Sequence, residues 1–167
     1  MKIEVFTDVH SVTRQAAALI AAEARAAVAA RDRFVMAVSD GDASWIMPVF
    51  DLIRLSLGPE GHTASLVPGD PVLEINDADV GITEVYQKRR RMTLTYPILN
   101  RARRILWLVT GSEKTGMLDR LLKADTSIPA GRVNQARAVV FADRAAAKNV
   151  HLGVKDYEAF EEFAGQS

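Results

Sequence analysis

The chain has 167 residues, 49% of them hydrophobic and 25% charged, and 21 basic side chains balance 21 acidic ones. That length fits one domain with a core of useful size. Zero formal charge excludes a general nucleic-acid or anionic-membrane binder, which carries a basic excess; the absence of cysteine excludes disulfides, thiolate catalysis and cysteine-based zinc sites.

Residues 2 to 6 alternate polar and apolar and are predicted to form a short strand. Ser11 is the expected N-cap of a long Ala-rich helix ending near Arg31, with Val12, Ala16, Leu19, Ile20, Ala24, Ala27 and Val28 at helical spacing. Phe34 to Val38 is a continuous apolar run, the pattern of a strand buried on both faces. Ser39-Asp40-Gly41-Asp42 reads as a turn, and Ala43 to Phe50 as a helix with Pro48 uncomfortable in its middle.

Leu52 to Leu57 is the next strand, with Arg54 inside it, where a buried charge must find a partner. Gly58-Pro59-Glu60-Gly61-His62 follows as a turn, leading into a short helical turn near Thr63 to Leu66. Asp79 to Val85 is a further strand candidate. Lys88 to Arg91 is a basic cluster, and Met92 to Thr95 alternates as a strand. Pro97 suits the first position of a helix, and Ile105 to Thr110 is an apolar strand. Ser112 caps a predicted helix to Lys123, with Leu118, Leu121 and Leu122 facing inward. Ala138 to Phe141 is the last strand, and Asp143 the expected cap of a final helix. Residues 1–150 are expected to form a single α/β domain, and 151–167 a peripheral tail. Strands alternating with helices predict a mostly parallel sheet with helices on both faces, a Rossmann-like three-layer sandwich.

In such a sheet ligands bind where loops leave the carboxyl ends of strands, which is where His62 falls. A histidine there can take and return a proton near neutral pH. The histidines at 10, 62 and 151 show no metal-ligand spacing, so no metal is expected. Trp45 and Trp107 read as core. No apolar run reaches the roughly 18 residues of a membrane span, and Met1 to Phe6 lacks the plan of a signal peptide, so a cytoplasmic location is expected.

Gly58 to Leu66 resembles the signature loop of the 6-phosphogluconolactonases, which hydrolyse a phosphorylated sugar lactone. Further segments resemble the same family in the same order: Phe34 to Gly41; Arg91 to Thr95 with Pro97 to Asn100; Ile105 to Gly111 with Glu113 and Lys114; Ala130 to Val133; and Asp143 to Ala147. The resemblance implies a shortened fold of the lactonase and sugar-phosphate isomerase type. It also implies hydrolysis of 6-phosphogluconolactone to 6-phosphogluconate, with His62 as general base and Glu60 orienting it. Ser39, Gly41, Gly58, Gly61, Arg89, Arg90 and Arg91 are the implied substrate contacts, with loop N–H groups around Gly58 to Gly61 holding the developing oxyanion.

Departures from the family pattern accompany these matches. A middle block ending in a Gly-Asp-Glu-Arg motif is missing between Phe50 and Asp51, Asp40 stands where the family has glycine, and Tyr86 stands where it often has lysine. The alternative is therefore a catalytically impaired member that binds sugar phosphates or partners, with homodimerisation covering exposed strand edges. A third reading is a relative of the glucosamine-6-phosphate deaminases.

Overall fold

A computed structural model of the protein describes residues 1–38 and 49–150. Five strands form one parallel sheet in the order β1-β7-β6-β3-β2: β1 Lys2–Phe6, β2 Met36–Val38, β3 Leu52–Ser56, β6 Ile105–Val109 and β7 Ala138–Asp143. A separate antiparallel ribbon pairs β4, Val80–Ile82, with β5, Met92–Leu94. The helices are α1, Val9–Arg31; α2, Tyr96–Arg101; and α3, Thr115–Leu122. The helices lie on both faces of the sheet, as the alternation of elements predicts.

The period-2 pattern of the central strands sorts their side chains to two cores. Ile53, Leu55, Ile105, Trp107, Val109 and Val140 pack on one face, against α2, α3 and the loops beside them. Leu52, Leu106, Val139 and Phe141 pack on the other, against Val12 and Ala16 of α1. Each fully buried Leu or Ile stabilises the fold by about 1.5–3 kcal/mol, and Leu52, Leu55, Ile105, Leu106 and Leu121 are all at or below 2% exposure.

Local details differ from the sequence reading. Asp8, not Ser11, caps α1; its carboxylate accepts the Ser11 N–H at 2.8 Å. Val28 is exposed, whereas its neighbour Ala27 is buried. Among the described residues the second strand, three residues long, lies at the edge of the sheet, with half-buried side chains at Met36 and Ala37, so its apolar run does not reflect burial on both faces. Arg54 of β3 pairs in register with Val38; its side chain is half-buried, with no carboxylate partner among the described residues. Ser112 opens a 3₁₀ turn rather than capping α3, and Leu122 is only half-buried. Asp143 accepts the Ala146 N–H at 2.8 Å, but turns rather than a helix follow it. The turn at 39–42, the body of the helix expected from Ala43, Trp45 and the tail from 151 lie outside the described residues.

The amino end of the sheet is laced by charge. Asp51, 6% exposed, stands directly before β3. It accepts from Arg31 Nη2 at 2.6 Å and from the Val35 N–H at 2.9 Å, and lies 3.3 Å from Arg103 Nε. Arg104 pairs with Glu23 at 2.8 Å and Lys2 with Glu4 at 2.7 Å. The connection from β2 to β3, residues 39–51, has about the dozen residues that the shortest crossover between parallel strands requires.

Candidate active site

The loop after β3 folds back on itself. The Gly58 N–H donates to His62 O at 2.8 Å and the Gly61 N–H to Gly58 O at 3.0 Å. Both N–H groups are spent on the shape of the loop and are not available to an oxyanion, contrary to expectation. The two glycines serve the histidine in another way. A Cβ on Gly58 would stand 2.1 Å from the His62 ring, so only glycine lets the imidazole lie across this backbone. Gly61 has φ +79°, and a Cβ there would meet Ile128 Cβ at 2.6 Å. The loop is propped from below, where the Ala130 N–H donates to Gly61 O at 2.9 Å.

His62 is not followed by a helical turn. Thr63 and Leu66 bridge a tight turn with Ala64 at φ 50°. This turn leaves the imidazole at the carboxyl end of β3, with 28% of its side chain exposed. Its Nδ1 lies 2.8 Å from Glu60 Oε2. A carboxylate can only accept, so Nδ1 carries the proton; in the neutral ring Nε2 then holds the lone pair, and it has no hydrogen-bond partner among the described residues. The His62 hydrogen bond, then Glu60's own backbone N–H and the Tyr86 hydroxyl, hold the Glu60 carboxyl below the usual carboxylate range. It is therefore ionised at neutral pH.

Tyr86 is the residue that sequence reasoning missed. Its hydroxyl donates to Glu60 Oε1 at 3.1 Å, and its ring stands edge-on to the imidazole, with centroids 6.4 Å apart. Donation to Glu60 raises the pKa of Tyr86 above its ordinary value. One signal for it was present in the sequence: Tyr86 stands where the resembled family often has lysine.

Arg89, Arg90 and Arg91 sit at and beside the tip of the β4–β5 hairpin, all exposed. Arg89 pairs with Tyr86 through the turn backbone, Arg90 approaches Glu84 at 3.3 Å, and Arg91 donates to Gln87 at 3.2 Å. The hairpin that carries the basic run meets the histidine loop through Tyr86, whose hydroxyl reaches Glu60. Ser39 and Gly41 lie outside the described residues.

A cavity of about 340 Å³ opens at the opposite end of the sheet, lined by Lys2, Glu4, Leu19, Arg104, Arg137 and Phe141 among others. Ion pairs occupy most of its charges: Lys2 with Glu4, Arg104 with Glu23 and Arg103 with Asp51. Among the described residues no helix is long and apolar enough to cross a membrane.

A parallel sheet covered on both faces, with the histidine loop at its carboxyl end, defines an open α/β protein. Residues 42–142, more than half of the chain, match the family described as glucosamine-6-phosphate isomerases/6-phosphogluconolactonase, and the chain belongs to that family. It is 38% identical over 107 residues to the 6-phosphogluconolactonase of Rattus norvegicus, an alignment covering 61% of this chain and 42% of the relative. The chain thus spans less than half the length of this curated relative. A 6-phosphogluconolactonase structure from Trypanosoma cruzi superimposes with TM-score 0.55 at 29% identity, over 63% of this chain and 43% of that one. One from Shewanella baltica superimposes with TM-score 0.72 at 17% identity, over 86% and 97%, a likeness of fold.

Proposed function

We propose that the chain hydrolyses 6-phosphogluconolactone to 6-phosphogluconate, with His62 as the general base. The observation that carries this reading is the Glu60-held imidazole, with Nδ1–H fixed and Nε2 open at the carboxyl end of the sheet. Nε2 takes a proton from water as the water oxygen attacks the ring carbonyl. The imidazolium, stabilised by the Glu60 carboxylate, then returns that proton to the departing ring oxygen. One positioned acid–base group of this kind supplies about 10²–10⁴-fold. The substrate phosphate meets the cations at and beside the hairpin tip, Arg89, Arg90 and Arg91, with Ser39 and Gly41 as further contacts. No step needs a cofactor. Residues 1–150 act as one domain, with 151–167 peripheral to it.

The test is hydrolysis of freshly generated 6-phosphogluconolactone by the chain and by His62→Ala. Acceleration that disappears in the variant supports the reading. Equal, background rates in both would overturn it. The partial coverage of the curated relatives favours a second reading, a non-catalytic member that binds sugar phosphates. In that case 6-phosphogluconate binds, measured by calorimetry, while turnover stays at background. Ammonia release from an amino sugar phosphate would point instead to the deaminase side of the family.

A further inference from the structure

Glu60 is an exposed carboxylate on a glycine-flanked loop, with 49% of its side chain in contact with solvent. A carboxylate so placed is free to rotate and exchange its partners for water, and one hydrogen bond to His62 is a weak restraint on it. The structure supplies a second restraint. Oε2 receives the His62 Nδ1–H at 2.8 Å while Oε1 receives the Tyr86 hydroxyl at 3.1 Å. With both oxygens engaged from different sides, the carboxylate plane is fixed.

Tyr86 is itself well anchored for this task. It opens the turn of the β4–β5 hairpin, and its N–H and C=O both pair with Arg89, at 3.0 and 3.2 Å. Gln87 and Lys88, at φ 50° and 66°, form the two left-handed positions that such a two-residue hairpin turn requires. Deeper in the ribbon, the Thr93 hydroxyl accepts the Ser65 N–H at 3.1 Å. Hairpin and histidine loop are therefore joined twice, once near the buried base and once at the reactive end. The ring of Tyr86 also closes one side of the imidazole edge-on.

We propose that Tyr86 is a positioning residue for His62: its hydroxyl locks the Glu60 carboxylate, which in turn holds the imidazole as the Nδ1–H tautomer with Nε2 facing the substrate. What Tyr86 does for turnover depends on His62 being the base, as proposed above; its hold on Glu60 is a property of the folded chain alone. Tyr86 touches neither the water nor the lactone. A hairpin that merely packs beside the loop would need the ring and the turn but not the hydroxyl.

Tyr86→Phe separates these cases, since it keeps the ring, the turn and the edge contact and removes one oxygen. The His62 ring nitrogens are followed by long-range proton–nitrogen correlation, and the Glu60 carboxyl by its carbon shift during an acid titration. In the native chain the neutral ring is protonated at Nδ1. In Tyr86→Phe the two tautomers mix and the Glu60 midpoint moves up toward the ordinary carboxylate value. Losing a hydrogen bond to an exposed charged group lowers kcat about three- to tenfold, with KM unchanged. Identical tautomer populations and identical Glu60 titrations in the two proteins would overturn the inference. A native chain without lactonase activity would defeat the proposed reaction, and the two spectroscopic readouts would still decide the role of Tyr86.

Discussion

The two ends of the sheet use similar residues for different purposes. At the amino end, Asp51 is 6% exposed and receives Arg31 and a backbone N–H, with Arg103 close by. The Asp51 carboxylate is spent on structure, tying the end of α1 and two loops to the start of β3. At the carboxyl end, Glu60 and His62 are partly exposed, and the bonds they make leave one ring nitrogen unspent. A charged cluster holds structure when it is buried and saturated. It can do chemistry when it is held on one side and open on the other.

Substitutions at the two ends should therefore fail differently. His62→Ala is expected to lose about 10²–10⁴-fold in kcat/KM while its thermal unfolding midpoint stays within a degree or so of the native one, read by activity assay and calorimetry. A large fall in stability would break the contrast. Asp51→Ala should do the reverse. Removing one partner of a buried pair costs about 3–5 kcal/mol, and the partial exposure of Arg31 and Arg103 brings this nearer 2–3 kcal/mol. Urea unfolding measures that loss, and the rate per folded molecule should be unchanged. Gly58→Ala sharpens the contrast within the carboxyl end. The new methyl must displace the imidazole, so activity should fall about tenfold or more with little change in the urea midpoint.

A subtler test uses pH. The Tyr96 hydroxyl donates to Pro129 O at 3.0 Å, tying α2 to the segment that props Gly61, and burial pushes its pKa up to about 12. The unfolded chain releases this proton near 10 and the folded chain near 12. The stabilisation is thus complete below pH about 10 and is lost as pH rises through about 12. Tyr96→Phe should flatten the alkaline limb of the unfolding curve. Asp125, held down to about 2 by Ser127 and Arg120, acts at the other extreme. Its contribution is present above pH about 4 and disappears as pH falls toward 2. Acid titration of Asp125→Asn should show the smallest change of the set.

The parallel core was legible because its strands are continuous apolar runs, and such runs in alternation with helices have few solutions. Leu52, Ile105 and Val140 are buried where the pattern puts them. Boundaries were less legible where two residues compete for one role. Asp8 and Ser11 are both good caps, and only the extended backbone at Asp8 decides between them. The second strand misled because hydrophobicity reports burial but not position in the sheet. In the site, the histidine and its carboxylate were legible from the loop itself. Tyr86 was not, because its partner is 26 residues away and the turn that aims it depends on two left-handed residues, Gln87 and Lys88, that composition does not mark. The glycine N–H groups were misjudged for a related reason: a glycine-rich loop offers donors, but only its fold shows whether it has already used them.

The hairpin has one more consequence. From Gln87 to Arg91 every side chain is exposed, whereas Gly81 and Thr93 at its base are buried against the core. The tip can change its charge and reach without disturbing a single packed residue, while the base keeps it aimed at the histidine. Under the proposed reading it is the place for variation to retune which anion is admitted, a handle that can be recut while the blade stays the same.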